Sequence, residues 1–232
     1  MFSGGKDSCY SVWLVQHQGW DIAKLVTVKP EAPDSWMFHY PNVEWTKLQA
    51  RAMGLRQVMV SSAGDDLKGL KETLRVAKRD EGVDGLVTGA VASEYQKTRF
   101  DHVCDRVGLK GFSPLWHKKP ELLVHDLMEA GFRIVMSSVA ASGLDESWLG
   151  TELSPVDWEK LKQLSVLRGL HLSGEGGEYE TFVVGAPHFS GNITILESEK
   201  VWDGQSGRLI IKKASLQRQQ RNNVQQGRID NC

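Results

Sequence analysis

Apolar residues recur along this chain with two alternating spacings. Over residues 65–79 they fall on one face of a helix, and residues 100–107 repeat that spacing. Between such segments lie short apolar runs, as at residues 22–28 and 83–88, which are typical of buried strands. Because strands alternate with helices, the pattern predicts an α/β fold in which a parallel sheet carries helices on both faces.

Turn and capping residues indicate further elements. A terminal β-hairpin is predicted over residues 192–213, where a polar turn separates two strand-like runs. The first helix is predicted over residues 8–18, and Asn42 is expected to cap a helix over residues 43–53. Ser154-Pro-Val-Asp157 has the form of a capping box with proline at the first helical position.

The length of 232 residues is large for one domain and small for two. We predict an N-terminal domain over residues 1–110 and a smaller C-terminal α+β domain over residues 111–216. Apolar residues nearly vanish over residues 217–232, which predicts a disordered tail. A loop over residues 29–42 holds three prolines and several large side chains, and it is expected either to line a ligand cleft or to fold onto the core as a lid.

Composition sets few limits on partners. The formal net charge of −1 gives no bulk attraction to nucleic acid or to an anionic membrane, so we expect neither as a partner. Cys9, Cys104 and Cys232 have neither a disulfide nor a metal-ligand spacing, which favours buried structural thiols and a reducing, cytoplasmic compartment. The oligomeric state stays open, with a homo-oligomer among the alternatives.

The segment Ser3-Gly-Gly-Lys-Asp-Ser8 carries the clearest chemistry. Gly4 and Gly5 let the backbone turn so that successive N–H groups point into one concavity, and the following helix adds its positive dipole end. Lys6 adds a mobile cation for phosphate, and Asp7 adds a carboxylate suited to Mg²⁺. The segment predicts a polyphosphate site, although its spacing is not that of a Walker A loop. The alternative is an ordinary glycine turn with solvated charges.

Only Met1 and Phe2 precede this segment. A loop of this type normally follows a central strand, and two residues cannot form an ordinary strand of about five. We expect either that the sequence begins at an internal start or that the sheet lacks part of its central strand. The first is favoured, because an unfilled sheet centre would leave backbone groups unpaired in the core.

A second polar stretch, residues 88–99, begins where a predicted strand ends and enters a helix. Ligands of open parallel sheets lie beyond the carboxyl ends of the strands. Ser93, Gln96 and Arg99 are therefore placed to reach a substrate carboxylate or phosphate. The alternative is that Ser93 only caps the helix and that the polar turn is solvated.

A third stretch, residues 173–183, combines three glycines with the carboxylates of Glu175, Glu178 and Glu180. The glycines let backbone approach a ligand, and the acids suit a cation such as Mg²⁺ or a quaternary ammonium group. Tyr179 and nearby tryptophans would add a cation–π surface. The alternative is a tight turn whose acids point outward.

Together these stretches resemble the diphthine–ammonia ligase (diphthamide synthase) family of PP-loop ATP pyrophosphatases. The resemblance covers residues 3–213, nearly all of the chain that is expected to be ordered. The segments that carry it are residues 3–8, 89–96 with Arg99, 114–116, 143–145 with 149–150, and 174–181.

The resemblance implies an adenine nucleotide α-hydrolase-like, Rossmann-like N-terminal domain that uses ATP and Mg²⁺, and a C-terminal substrate-binding domain. It implies that the diphthine carboxylate of elongation factor 2 attacks the α-phosphorus of ATP, that pyrophosphate leaves, and that free ammonia converts the acyl-adenylate to an amide. It assigns catalytic roles to Lys6, Asp7 and Arg99. It assigns nucleotide binding to Ser3, Gly4, Gly5, Lys6, Asp7, Ser8 and Gly89, with Asp7 as the metal ligand. It assigns substrate binding to Ser93, Glu94, Tyr95, Gln96, Glu175, Gly176, Gly177, Glu178, Tyr179, Glu180 and Thr181.

Two other functions fit part of the pattern. Another PP-loop ATP pyrophosphatase, such as a tRNA-modifying ligase, would share residues 3–8, but such enzymes usually bring a basic surface or catalytic cysteine pairs, and the sequence shows neither. A non-catalytic ATP-binding regulatory protein would share the same segment and bind nucleotide without turnover.

Overall fold

Helices and strands alternate in the N-terminal half of the chain, and a larger sheet follows in the C-terminal half. The structure is a computed structural model that describes residues 1–30, 42–62 and 67–218. Its helices are α1 (Lys6–His17), α2 (Thr46–Met53), α3 (Lys68–Glu81), α4 (Glu94–Val107), α5 (Pro120–Glu129) and α6 (Pro155–Arg168). Its strands are β1 (Leu25–Pro30), β2 (Gln57–Ser62), β3 (Gly85–Val87), β4 (Lys110–Phe112), β5 (Arg133–Val139), β6 (Tyr179–Gly185), β7 (Gly191–Trp202) and β8 (Gly207–Arg218). None of the described helices combines the length and the apolar character needed to cross a bilayer.

Two parallel strand pairs form the sheet layer of the N-terminal half. β1 pairs with β2 and β3 pairs with β4, both in parallel. Met1 and Phe2 lie between the pairs, since the Phe2 N–H donates to the Val26 carbonyl oxygen at 2.8 Å and the Met1 amino group donates to the Val87 carbonyl oxygen at 2.5 Å. The predicted parallel α/β arrangement is confirmed, and these two residues connect β1 to β3.

The C-terminal half contains an antiparallel four-stranded sheet in the order β6-β5-β8-β7. β7 and β8 form the predicted terminal hairpin, which is longer than the sequence pattern indicated. α6 begins at the predicted capping box, where the Ser154 hydroxyl accepts from the Asp157 N–H at 3.3 Å and the Asp157 carboxylate accepts from the Ser154 N–H at 3.1 Å. Helices beside an antiparallel sheet give the α+β class that the sequence predicts for this half.

Among the residues that the structure describes, two clusters of buried apolar side chains stabilise the fold, and α1 belongs to the larger one. The smaller cluster joins β1, β2 and β3 to α3 and α4 and includes the Cys104 thiol. The larger cluster contains Cys9, Tyr10 and Val12 of α1 together with residues of α5 and of the antiparallel sheet. The helix that begins at the glycine segment is therefore packed against the half of the molecule that carries the third polar stretch.

Some predicted boundaries are wrong. α1 begins at Lys6 rather than at residue 8, because Gly5 already takes the N-cap position. The helix predicted over residues 43–53 is present as a 3₁₀ helix (Asn42–Trp45) that leads into α2, so Asn42 is the first residue of the helical segment, and its side chain bonds to the backbone of β8. β4 was missed because it is only three residues long and contains a glycine, which weakens a strand pattern.

Three expectations lie partly or wholly outside the described residues. The aromatic loop predicted over residues 29–42 falls largely on residues 31–41, so its role as a cleft wall or a lid stays a prediction. The disordered tail falls on residues 217–232, of which 219–232 are not described. The predicted start of the third helix at residue 65 also lies in an undescribed segment, and α3 is described from Lys68.

Candidate active site

The glycine segment forms a tight loop that closes around the Ser8 hydroxyl group. The Ser8 oxygen accepts from the N–H groups of Ser3 and Gly4 at 3.3 and 3.2 Å, and the hydroxyl donates to the Gly5 carbonyl oxygen at 3.0 Å. Gly4 has φ of +83°, a left-handed conformation that glycine adopts without strain. The predicted glycine turn is therefore present, and the N–H groups of Ser3 and Gly4 converge on the Ser8 hydroxyl group, while phosphate binding by this loop stays a prediction.

The Lys6 side chain points toward the third polar stretch. It is only 3% exposed, and its ammonium group donates to the Ser173 carbonyl oxygen at 2.6 Å and to the Asp7 carboxylate at 2.8 Å. The same ammonium group lies 5.6 Å from the centre of the Tyr179 ring. A buried cation with a carboxylate, a carbonyl and an aromatic face around it is stabilised without contact with water. Lys6 therefore links the glycine segment to residues 173–179.

Asp7 has one oxygen free for a ligand. Its Oδ2 atom pairs with Lys6, whereas its Oδ1 atom is buried and has no hydrogen-bond partner among the described residues. A buried carboxylate oxygen without a partner is costly unless a ligand satisfies it. The described residues hold no group of three or more histidine, cysteine or acidic side chains that would ligate a metal ion by themselves. A carboxylate oxygen is a ligand that Mg²⁺ prefers, so the unpartnered Oδ1 atom fits the ion that the resemblance implies.

The second polar stretch contacts the start of α1. A Cβ atom on Gly89 would lie 2.8 Å from the Ser8 nitrogen and 2.9 Å from the Asp7 carbonyl carbon, so only glycine permits this approach. Ser93 caps α4, since its hydroxyl accepts from the Gln96 N–H at 3.4 Å. Ser93 therefore caps the helix, as one alternative predicted. The second stretch also lies beside the predicted phosphate loop, through the contact of Gly89 with Asp7 and Ser8.

Arg99 and Tyr95 form a pair on the outer side of α4. The Arg99 guanidinium carbon lies 5.2 Å from the centre of the Tyr95 ring, and Tyr95 is exposed. The Arg99 Nε atom is buried and has no hydrogen-bond partner among the described residues. The structure thus directs this guanidinium toward an aromatic ring on its own helix.

The third polar stretch is a loop held by its own carboxylates. The two oxygens of Glu178 accept from the N–H groups of His171 and Gly176 at 2.9 and 2.8 Å. Glu175 reaches further and accepts from the Ala92 N–H at 3.0 Å. Burial, together with the nearby Asp7 carboxylate, raises the pKa of Glu175.

Tyr179 ends this stretch inside the protein. Its hydroxyl donates to the Leu172 carbonyl oxygen at 2.5 Å, and the side chain is buried. Burial and the nearby charge of Asp7 hold the pKa of the Tyr179 phenol well above its usual range. The ring face that the sequence assigns to a cationic ligand is directed toward Lys6.

The three stretches meet at a cavity of about 350 Å³, which is within the usual range for small-molecule sites. Apolar side chains of Phe2, Val28, Val43 and Phe100 contribute to its lining. The predicted site residues that line it are Ser3, Gly5, Lys6, Asp7, Ser8, Gly89, Ser93, Gln96, Glu175, Gly176, Gly177, Tyr179, Glu180 and Thr181. The predicted site residues outside this lining are Gly4, Glu94, Tyr95, Arg99 and Glu178.

Sequence reasoning missed several lining residues. Thr88 and Ser173 are the first residues of the second and third polar stretches, but the sequence assigned neither of them a role in binding. Phe100 was assigned to the apolar face of a helix, and it does join the smaller core cluster, whereas Val43 lies in a short 3₁₀ helix and carries no chemical signature. Apolar lining residues of this kind have no signal in the sequence that separates them from core residues.

A parallel α/β layer, with a glycine loop that opens a helix beside a cavity at the strand ends, defines a nucleotide-binding protein of the PP-loop type. Comparison with known families is more specific. Residues 1–111 match the family described as diphthamide synthase N-terminal domain, and residues 119–217 match the diphthamide synthase C-terminal domain. The chain therefore belongs to the diphthamide synthase family, as the resemblance of its motifs indicated.

Individual relatives agree with the family match. The Homo sapiens protein named diphthine–ammonia ligase is 34% identical over 223 residues, which covers 87% of this chain and 83% of the relative. The Danio rerio protein of the same name is 33% identical over 222 residues, with 87% of each chain covered. A crystal structure described as a predicted subunit of tRNA methyltransferase from Methanocaldococcus jannaschii is 17% identical, with a TM-score of 0.42 over 80% of this chain and 95% of that chain. That similarity is too distant to bear on function.

Proposed function

We propose that this protein is an ATP-dependent ligase that converts diphthine on elongation factor 2 to diphthamide with ammonia, releasing AMP and pyrophosphate. One observation carries the proposal: the glycine loop, the Lys6–Asp7 pair and the acidic stretch around Glu175 line a single cavity. The name shared by the relatives supports the choice of substrate. The cytoplasm, where elongation factor 2 works, is the expected location.

The glycine loop and Lys6 are proposed to bind the polyphosphate of ATP. The helix start at Lys6 offers its positive dipole end to an anion, and the Lys6 side chain lines the same cavity, with its ammonium group 2.8 Å from the Asp7 carboxylate. Phe2, Val28 and Phe100 give part of the cavity an apolar lining that suits the adenine ring. Lys6 would stabilise the charge that develops on the departing pyrophosphate.

Asp7 is proposed to hold Mg²⁺ through its unpartnered Oδ1 atom. When bound, Mg²⁺ supplies charge neutralisation on the phosphate oxygens. Asp7 keeps its other oxygen on the Lys6 ammonium group, so the two cations would sit on opposite oxygens of one carboxylate. Asp7 thereby places both positive charges beside the polyphosphate.

The acidic stretch is proposed to receive diphthine, which combines a trimethylammonium group with the reacting carboxylate. Glu175 and Glu180 line the cavity and offer negative charge to the ammonium group. A bond would form between the diphthine carboxylate oxygen and the α-phosphorus, and the bond to the pyrophosphate oxygen would break. Neutral ammonia would then add to the acyl carbon, lose a proton to solvent and expel AMP. The proposal assigns no chemical step to Arg99, whose guanidinium lies over the Tyr95 ring.

The test is AMP release by the purified protein with ATP, Mg²⁺, ammonium and elongation factor 2 that carries diphthine. AMP should form only when all four are present, and the product should be an amide by mass spectrometry. Lys6→Ala should lower AMP release by about two or more orders of magnitude, the usual loss for one preorganised charge-stabilising group. Lys24→Ala, which removes an ion pair with Glu81 away from the cavity lining, is the matched control.

Two results would count against this function. AMP release that depends on tRNA instead of elongation factor 2 would favour the tRNA-modifying ligase. ATP binding without AMP release under any substrate combination would favour the regulatory ATP-binding protein, and Lys6→Ala would then change binding alone.

A further inference from the structure

The helix that begins at the phosphate loop is capped by a residue from the other half of the molecule. The N-cap position of α1 is Gly5, which has no side chain to accept a hydrogen bond. The Thr181 hydroxyl oxygen takes that role and accepts from the Lys6 N–H at 3.1 Å. Thr181 belongs to β6, so this cap spans 175 positions of sequence.

A second contact fixes the loop to the same strand. The Gly4 carbonyl oxygen accepts from the Val183 N–H at 3.0 Å and from the Gln49 side-chain amide at 2.8 Å. The Gln49 amide nitrogen also donates to the Val183 carbonyl oxygen at 2.8 Å. Gln49 is fully buried, so these bonds are made without competition from water.

These contacts lie on a strand edge that the antiparallel sheet leaves open. β6 is an outer strand of that sheet and pairs with β5 along its other edge. β6 begins at Tyr179, directly after the acidic loop that contains Glu175. Because the phosphate loop bonds to β6 and the acidic loop leads into β6, this strand fixes the position of the phosphate loop relative to the acidic loop.

We infer that Thr181, assisted by Gln49, is a positioning residue that fixes the phosphate loop against the strand that carries the acidic stretch. The inference rests on the proposed function, because that function requires the phosphate loop and the acidic stretch to align a nucleotide with an acyl substrate. It differs from the substrate contact that the sequence resemblance implied for Thr181, since the hydroxyl oxygen is directed to the Lys6 N–H. Removing the Thr181 hydroxyl should make the phosphate loop more mobile without deleting any of the groups that are proposed to bind ATP.

The experiment compares Thr181→Val, which removes the hydroxyl and keeps a β-branched strand residue, with Thr181→Ser, which keeps the hydroxyl. Thr181→Val should raise the KM for ATP about 10-fold, the scale of leaving one buried donor unsatisfied. The KM of Thr181→Ser for ATP should stay within about 2-fold of that of the parent protein, which is the usual effect of a substitution that breaks no hydrogen bond. Tyr10→Phe is the matched control, because it removes a hydroxyl that joins α1 to Asp126 away from the cavity lining.

A second measurement separates this inference from the proposed function. Hydrogen exchange of the Lys6 amide should be faster in Thr181→Val than in Thr181→Ser, and the calorimetric Kd for ATP with Mg²⁺ should rise in the former. Both readouts need no turnover, so absence of AMP release in the parent protein would refute the ligase function and leave these tests intact. A Gln49→Met variant should show the same weakening of ATP binding.

Three outcomes would overturn the inference. Tyr10→Phe and Thr181→Val would raise the KM equally if the effect were a general loss of stability. Thr181→Ser would match Thr181→Val if the hydroxyl were irrelevant. Tighter ATP binding in Thr181→Val would mean that the hydroxyl competes with phosphate for the Lys6 N–H.

Discussion

Glu175 accepts a hydrogen bond from the Ala92 N–H at 3.0 Å, which joins the acidic stretch to the loop between β3 and α4. Ala92 directly precedes Ser93, the cap of α4. Glu175 lines the same cavity as Asp7, and burial, together with the Asp7 charge, raises the pKa of Glu175. The two acids and Lys6 therefore form one charged group contributed by both halves of the chain.

The raised pKa of Glu175 predicts a pH dependence of stability. Burial and the Asp7 charge disfavour the ionised form in the folded state, so folding favours the protonated carboxyl group. Its contribution to stability is present at acid pH and is lost as pH rises through the raised pKa. Glu175→Gln cannot ionise at this position. Its free energy of unfolding should therefore increase relative to that of the parent protein as pH rises from about 4 to about 7.

Urea unfolding of both proteins across that pH range measures the difference. Glu178→Gln serves as a control, because Glu178 has its two oxygens bonded to loop N–H groups and its loss should destabilise by removing an acceptor. Parallel stability curves for Glu175→Gln and the parent protein would contradict the prediction.

Gly89→Ala should damage the phosphate loop directly. The added Cβ atom would lie 2.8 Å from the Ser8 nitrogen, and backbone atoms cannot rotate away as a flexible side chain can. Overpacking of this kind costs about 1–3 kcal/mol of unfolding free energy. Because the displaced atoms belong to the start of α1, the KM for ATP should rise as well, which AMP-release kinetics would measure.

A second glycine with a left-handed φ, away from the cavity, separates the two effects. Gly131 has φ of +76° and nothing within 4 Å of an added Cβ atom. Gly131→Ala should lose stability through backbone strain of about 1–2 kcal/mol and keep the parent KM for ATP. An unchanged KM in Gly89→Ala would show that the contact with α1 has no bearing on nucleotide binding.

Asp7→Asn tests the assignment of the metal ligand. The substitution keeps the size of the side chain and removes the charge on the unpartnered Oδ1 atom. If Asp7 shares Mg²⁺ with the nucleotide, AMP release should fall by about two orders of magnitude or more and should need more Mg²⁺ for half-maximal rate. A Mg²⁺ titration of AMP release measures both, with Asp203→Asn in the β7–β8 turn as the control. A fall in rate without a change in the Mg²⁺ requirement would refute metal binding by Asp7.

Local features of the fold follow from the sequence because they depend on neighbours along the chain. The capping box at Ser154, the helix ends at Gly54 and Gly108, and the glycine turn at Gly4 are all present in the structure. Each is decided within a few residues by a side-chain cap or by a left-handed φ that favours glycine.

Contacts between distant residues could not be predicted in the same way. Thr181 was expected to touch substrate, yet its hydroxyl caps α1, and Gln49 had no signal at all before the structure placed it between Gly4 and Val183. In the sequence alone, a buried glutamine in a helix cannot be distinguished from a solvent-exposed polar residue. The roles of the site residues and the division into domains at residue 110 stay predictions that the proposed variants address.

Asn42 gives the last prediction, since its true role differs from helix capping. Its side-chain amide donates to the Leu209 carbonyl oxygen at 2.8 Å, and its carbonyl accepts from the Ile211 N–H at 3.0 Å, so one residue satisfies two backbone groups of β8. Asn42→Ala should lower the free energy of unfolding by about 1–3 kcal/mol, because both groups lose a partner. Asn42→Asp keeps the acceptor and loses the donor, so its free energy of unfolding in urea should lie between those of the parent protein and Asn42→Ala. If Asn42→Asp matched the parent protein, the bond to Leu209 would contribute nothing to stability, and the polar contacts with β8 would rest on the Ile211 N–H bond and on the Trp45 Nε1–H, which donates to the Ile211 carbonyl oxygen at 2.9 Å.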